Sequence, residues 1–404
     1  MSSTLTIPLE IEEAVIDILA QDDKDLSSLK ACSLACKAFV PVARKHIFSS
    51  VALNTNDANS HSTSSLEGLL SEAPELAGYI RHLNYNIKTE DFTSSSVQDC
   101  LQRLTKLQSL SVYHFESFSR KKLDWSNNPL RPALLHLLHL PTLTSFKMFS
   151  VDRLVASDFI PCTNLKKLSI GNHTTGIDKT DEPFSGPLPD QPVQLDEWAS
   201  GIRDFTVISS VCKSLRPDGR PVFDFSSLAK LSLQIERLED IPAVQELSKR
   251  CSTLSNVDVT YWEPEFIIPT LADLLRPSIQ TLKHVRVGLH IDDVDIDPLG
   301  GIPAQLEDIR QNEKNVLETL DIFVLVQTDS DCRTGDDWGK LDEVLTKSGW
   351  PSLKKVSLTI EIASFGRQGQ TLDEALRKLP ETQFARLSKS ESIEFKFDIE
   401  NTLV

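Results

Sequence analysis

The side chains in this sequence that could do chemistry stand in a few places. Cys32 and Cys36 lie four apart, a little before His46. At that spacing two thiols share one helix face, and they could open a metal site. A tetrahedral zinc needs four ligands, however, and His46 is the sole further candidate nearby. The plainer reading makes both cysteines small hydrophobes beside Leu29. Asp293, Asp295 and Asp297 alternate like the start of a calcium loop. Pro298 then stands where that loop needs glycine, and Ala304 where it needs a glutamate, which favours a solvated acidic loop. Gly339-Lys340 lacks the spacing and the hydroxyl residue of a phosphate-binding loop. His136 and His139 sit in the apolar run ALLHLLHL, a setting for structural histidines. There is no Gly-x-Ser-x-Gly elbow. The sequence therefore predicts no catalytic residue, no metal and no cofactor, and a non-enzyme.

The elements that would position such residues are bounded first by size and charge. A chain of 404 residues exceeds what one globular core usually holds, so several domains or an elongated repeat array are expected. A formal net charge of −16 argues against nucleic acid and against a polybasic membrane surface. No uncharged apolar run approaches a spanning helix, and MSSTLTIPLEIEEAV lacks the basic start of a signal peptide. The seven cysteines, without paired spacing, do not read as a disulfide framework. The expectation is a soluble intracellular protein, with cytoplasm and nucleus both open.

Three short helices are predicted at the N-terminus. Pro8 suits a first helical position, and Glu10, Glu12 and Glu13 complement the helix dipole behind it. Ile11, Val15, Ile18 and Leu19 recur at i, i+4, i+7 and i+8, one apolar face. Asp25 is a plausible N-cap for a second helix carrying Leu26, Leu29, Cys32, Leu34, Cys36 and Phe39, which Pro41 ends or bends. A third runs roughly from Val42 to Phe48 and leads into a strand over Ser49 to Leu53.

The run IPLEIEEAVIDIL, then DLSSLKACSLACKAF, then ARKHIFSSVAL resembles the F-box motif, in particular the F-box-like heads of large fungal families. The resemblance covers about the first 53 residues and implies docking on a Skp-family adaptor within a cullin–RING ubiquitin ligase. The matching positions are Ile7, Pro8, Ile11, Ile16, Leu19, Leu26, Leu29, Cys32, Leu34, Cys36 and Phe39. Where many members carry tryptophan this sequence has Phe39, which is a smaller aromatic anchor. Read from the residues alone, the same apolar positions could instead pack the three helices against one another and cap the rest of the chain.

Beyond residue 53 a short pattern recurs: apolar, two residues, apolar, one residue, apolar. Copies stand at Ile80/Leu83/Tyr85, Leu107/Leu110/Val112, Leu143/Phe146/Met148, Leu165/Leu168/Ile170 and Ile202/Phe205/Val207. Others stand at Leu228/Leu231/Leu233, Leu254/Val257/Val259, Leu282/Val285/Val287, Leu317/Leu320/Ile322 and Leu353/Val356/Leu358, with a last strand over Ser392 to Ile399. The alternation is strand-like, and several copies come after helical stretches, which together make a βα unit. This resembles leucine-rich repeats, which many F-box proteins carry. The usual Asn or Cys after the third apolar residue is missing, so the buried ladder of regular repeats is not expected. The expected fold is α/β: a three-helix head over residues 1–53, then over 54–404 an irregular leucine-rich-repeat-type solenoid with a curved parallel sheet. Two stretches, Gly171 to Gln194 and Asp329 to Asp337, read as loops.

If the triplets point inward, the alternating residues line a concave face. Tyr113, Lys147, Phe149, Lys230, Gln234, Asp258, Arg286, Asp321, Phe323 and Lys355 are its candidate target-binding residues, a polar set with aromatics that suits a protein interface. Two functional readings fit these features. One is a substrate adaptor of an SCF-type ligase, partnered by a Skp-family subunit and an unknown target protein. The other is a free-standing interaction scaffold whose head is an N-terminal cap.

Overall fold

A computed structural model describes residues 9–22, 26–55, 60–114, 123–171, 177–178, 184, 186–201, 206–235, 241–262, 271–291, 297, 299–312, 314–327, 335–364 and 369–403. Nine of the ten apolar triplets do the same thing in it. The first apolar residue stands two positions before a short strand, and the next two point to one side of it; every one of these 27 side chains is at most 6% exposed. Alternation at period two puts the residues between them on the other side, which stays half-buried.

The backbone divides into two compact units, residues 1–165 with 180–190, and residues 166–179 with 191–404. In the first, four strands run parallel in chain order: β1 (Ser50–Leu53), β2 (His82–Asn86), β3 (Ser109–Tyr113) and β4 (Ser145–Phe149). In the second, eight do the same: β5 (Lys167–Gly171), β6 (Glu197–Ser200), β7 (Lys230–Ile235), β8 (Asn256–Tyr261), β9 (His284–Ile291), β10 (Thr319–Val326), β11 (Lys355–Ser364) and β12 (Glu394–Leu403). Parallel neighbours need a crossover, and helices supply many of them. The first unit holds α1 (Leu9–Asp22), α2 (Ser27–Ala35), α3 (Phe39–Ile47), α4 (Thr63–Glu72), α5 (Ser95–Gln102) and α6 (Arg131–Leu138). The second holds α7 (Thr206–Lys213), α8 (Ile241–Ser248), α9 (Leu271–Leu275), α10 (Ile302–Arg310), α11 (Asp336–Thr346), α12 (Gly369–Leu376) and α13 (Leu379–Thr382). Successive helices touch, α4 to α5 to α6 in one unit and α7 through α11 in the other.

Register is kept by two devices. The carbonyl just before one strand accepts two consecutive N–H groups from the next: Ala229 from Ser255 and Asn256, Ser255 from Lys283 and His284, Lys283 from Glu318 and Thr319, at 2.8–3.0 Å. The second is a side-chain ladder absent from the sequence expectation. The residue before the first apolar position donates its hydroxyl to the carbonyl of the preceding repeat's first apolar residue. Thr142 reaches Leu107 at 2.6 Å, Ser227 reaches Leu195 at 3.3 Å, Thr253 reaches Leu228 at 3.1 Å and Thr281 reaches Leu254 at 2.8 Å. These bonds do for the turns what a buried Asn ladder would do, satisfying carbonyls that the sheet leaves over.

Several expectations change. Of the copy at Ile202/Phe205/Val207, Ile202 and Phe205 lie outside the described residues, and Val207 belongs to α7. The strand of that repeat is β6, on Leu195/Trp198/Ser200, whose third position is a buried serine and so breaks the apolar pattern. Helix α3 starts at Phe39, not Val42, so Pro41 falls inside its first turn, where a missing N–H costs nothing. The residue flanking α2 is Leu26, with φ 59°; Asp25 and Pro8 lie outside the described residues. The last strand begins at Glu394 and runs to Leu403. Of the two expected loops, residues 172–176, 179–183, 185 and 329–334 lie outside the described residues. Val193 and Gln194 pair with Phe223 and Asp224, and Asp336 and Asp337 open α11. Among the described residues no helix is long and apolar enough to cross a membrane.

Candidate functional site

Helix α1 carries more apolar surface than its own bundle needs. Ile16 and Leu29 are 1% and 0% exposed and join Val42 in a small core, with Leu19, Ala20, Leu26, Cys32, Phe39 and Ile47 packed around it. His46 on α3 hydrogen-bonds the Asp17 carboxylate on α1 at 2.6 Å, closing the bundle on its polar side. Ile11, Val15 and Ile18 face away from that core and are 54%, 50% and 59% exposed; Leu34 on α2 is 89% exposed. Among the described residues the other strongly exposed large apolar side chains are Leu188 and Leu215, so four of six fall in this small head. An apolar stripe at i, i+4, i+7 normally marks the buried face of a helix. Here it is the outward one.

The expected adaptor-docking set therefore divides. Ile11, Leu34 and Cys36 are exposed, and Ile16 and Leu29 are internal. Leu19, Leu26, Cys32 and Phe39 are half-buried around the core, while Ile7 and Pro8 lie outside the described residues. Val15 and Ile18 are additions to that set. Their signal is the stripe itself, which exceeds what a three-helix core can cover.

Behind the head, α2 and α3 do not close against the first repeat. A cavity of about 710 Å³ lies between them and β1 with α4, lined by Leu26, Ile47, Val51, Leu66 and Leu69 with Lys30 at one side. An exposed Arg44–Glu75 pair at 3.6 Å ties α3 to the turn after α4, a contact of a kind that contributes little.

The half-buried sheet face brings several of the other candidates together. In the first unit Tyr113 and Phe149, opposite each other on β3 and β4, stack with centroids 4.9 Å apart, and Lys147 stands exposed one step below. In the second unit register builds three rows. Lys230, Asn256, His284, Thr319 and Lys355 form one; Ser232, Asp258, Arg286, Asp321 and Ser357 the next; Gln234, Thr260, Gly288, Phe323 and Thr359 the third. Arg286 thus stands between Asp258 and Asp321, with its guanidinium 5.5 Å from the Phe323 ring centre. Burial pushes the Asp258 carboxyl above its ordinary value; Arg286 opposes that and Asp321 adds to it. A Cβ at position 288 would come 2.6 Å from Thr260 Oγ1, so glycine there leaves room for the Thr260 side chain on the neighbouring strand. Two clefts of about 260 and 240 Å³ open on this face and share Asp258 and Arg286. Trp262 and His290, edge to face at 4.2 Å, wall the second. Such a surface can hold an extended partner by polar side chains and aromatic faces.

No protein-family model matches this chain, and no curated protein matches it.

The residues that could have done other chemistry are occupied otherwise. Asp297 accepts hydrogen bonds from Trp338 Nε1 and Leu299 N–H, both at 3.0 Å, while Asp293 and Asp295 lie outside the described residues. His139 Nε2 meets the Asp158 carbonyl at 2.8 Å. Lys340 pairs with Asp337 at 2.8 Å. Among the described residues no three His, Cys, Asp or Glu side chains converge on one point.

Proposed function

We propose that this chain is a non-catalytic substrate-recognition adaptor of an SCF-type cullin–RING ubiquitin ligase. Its helical head docks a Skp-family subunit, and the polar face of its repeats, a leucine-rich-repeat-like solenoid, holds a target protein. The observation that carries the reading is the outward stripe Ile11, Val15 and Ile18 on a helix whose inward side already fills the head's core. Leaving three β-branched side chains half in water forgoes roughly half of the ~1.5–3 kcal/mol that full burial of each would contribute. A partner that covers them recovers it. The cavity behind α2 and α3 supports the same reading, since a helical cap would be expected to pack closely on the repeat it protects. Catalysis then belongs to the ligase: the adaptor raises the effective concentration of target near the charged enzyme.

Co-expression with a Skp-family adaptor tests this. The wild-type chain should co-purify with it; Ile11→Asp and Val15→Asp should abolish co-purification while leaving the melting temperature within a few degrees. Leu29→Asp should lose binding by unfolding the head. If the two surface variants bind as well as wild type, the outward face is not the docking surface.

A further inference from the structure

We infer a second interaction surface, on the outer edge of β12, where two copies of this chain pair antiparallel with Phe397 on the two-fold axis. This does not rest on the adaptor reading.

Strand β12 is ten residues long, pairs with β11 along its whole length, and stands last in strand order. Glu394 N–H donates to the Lys354 carbonyl at 2.8 Å, which turns the backbone of Glu394, Lys396 and Asp398 toward β11. Alternate residues turn the opposite way, so Phe395, Phe397 and Ile399 present N–H and C=O groups off the edge. A long, straight edge with unpaired backbone is a template for another strand. Edges of that kind are ordinarily shortened, interrupted or covered, and β1 shows how. It is four residues long, and the His61 backbone lies on its outer edge, donating to the Ala52 carbonyl at 2.9 Å and accepting from Asn54 N–H at 2.8 Å. Strand β12 has no proline and no such cover among the described residues.

Its side chains are incomplete in the same direction. On β11 the inward residues Val356, Leu358 and Ile360 are each 1% exposed. Their neighbours across the ladder, Phe395, Phe397 and Ile399, are only half-buried, although Phe384 packs 5.5 Å from the Phe395 ring. A second strand beside them would finish that layer.

Charge selects which strand. With Phe397 opposite Phe397 of a second copy, Phe395 faces Ile399 twice, and these pairs exchange backbone hydrogen bonds. Lys396 then faces Asp398 of the second copy, and Asp398 faces Lys396. Within one chain these two already pair at 2.6 Å, so four charges of alternating sign would meet at the axis. Shifting the axis to Asp398 puts two carboxylates together, and shifting it to Lys396 puts two ammonium groups together. In the favoured register Glu394 meets Glu400 twice, a like-charge opposition between exposed side chains that offsets part of this gain. The edge is thus complementary to itself, the requirement for a closed two-fold pair.

The test is the mass of the full chain by sedimentation equilibrium across a wide concentration range. Wild type should approach twice the 45.1 kDa of one chain. Lys396→Asp, which sets like charges against each other across the axis, should weaken dimerisation at least tenfold. The double variant Lys396→Asp with Asp398→Lys should restore it. Circular dichroism melts on all three keep misfolding separate from dissociation. A wild-type chain that stays monomeric to its solubility limit, or a dimer indifferent to Lys396→Asp, overturns the inference.

Discussion

Ile11 and Ile16 share one helix and one side-chain type, yet Ile16 is enclosed with Leu29 while Ile11 stands in water beside Ile18. Leu29→Ala should cost about 2–5 kcal/mol of head stability, and Ile11→Ala should stay within roughly 0.5 kcal/mol, as surface changes do. Chemical denaturation of the full chain followed by hydrogen exchange in α1–α3 measures both. On the sheet face, Asp258 sets a pH dependence with a defined sign. Its carboxyl titrates above the ordinary range because burial disfavours the charge. The folded state therefore binds that proton more tightly than the unfolded chain does. The stabilising contribution is full below the unfolded carboxylate value and is lost as pH rises through the raised folded value. Asp258→Asn should flatten the stability profile across that window, read from melting temperature against pH.

At the scale of elements, the hydroxyl ladder explains how repeats without a recurring asparagine hold register. Thr253 donates to both Ser226 and Leu228 carbonyls, at 2.9 and 3.1 Å. Thr253→Ala and Thr281→Ala should each cost about 1 kcal/mol, and Thr253→Ser should cost less because the donor is kept. Asp342, 5% exposed within α11, accepts the N–H groups of Arg386 and Leu387 at 3.1 and 2.7 Å. Asp342→Ala strands both and should cost more than either threonine change. Urea unfolding midpoints rank these variants. Much of this layer was legible in the sequence. Triplets such as Leu254/Val257/Val259 carry their own strand, because period-two alternation is a local signal. Strand β6 was not, since Ser200 stands at an inward position that a pattern of apolar residues does not detect. Nor was the ladder, because Thr142, Thr253 and Thr281 look like ordinary turn residues until the previous repeat's carbonyl is beside them. On the head, periodicity identifies the apolar stripe of α1 but not its direction. That depends on where Leu29 and Val42 lie, which only the packed bundle fixes.

For the whole molecule the adaptor and scaffold accounts differ in what the head does for the repeats. Removing residues 1–48 keeps β1 in the sheet while taking away α1–α3. If the head is an appended docking module, the truncated chain should remain soluble and melt within a few degrees of the full one; a cap would take that stability with it. The most direct measurement is titration calorimetry of the full chain with a purified Skp-family adaptor, alongside Ile18→Asp. The account predicts one-to-one binding by wild type and none by the variant, with unchanged melting of both. Absence of heat with wild type, or equal binding by Ile18→Asp, would contradict it.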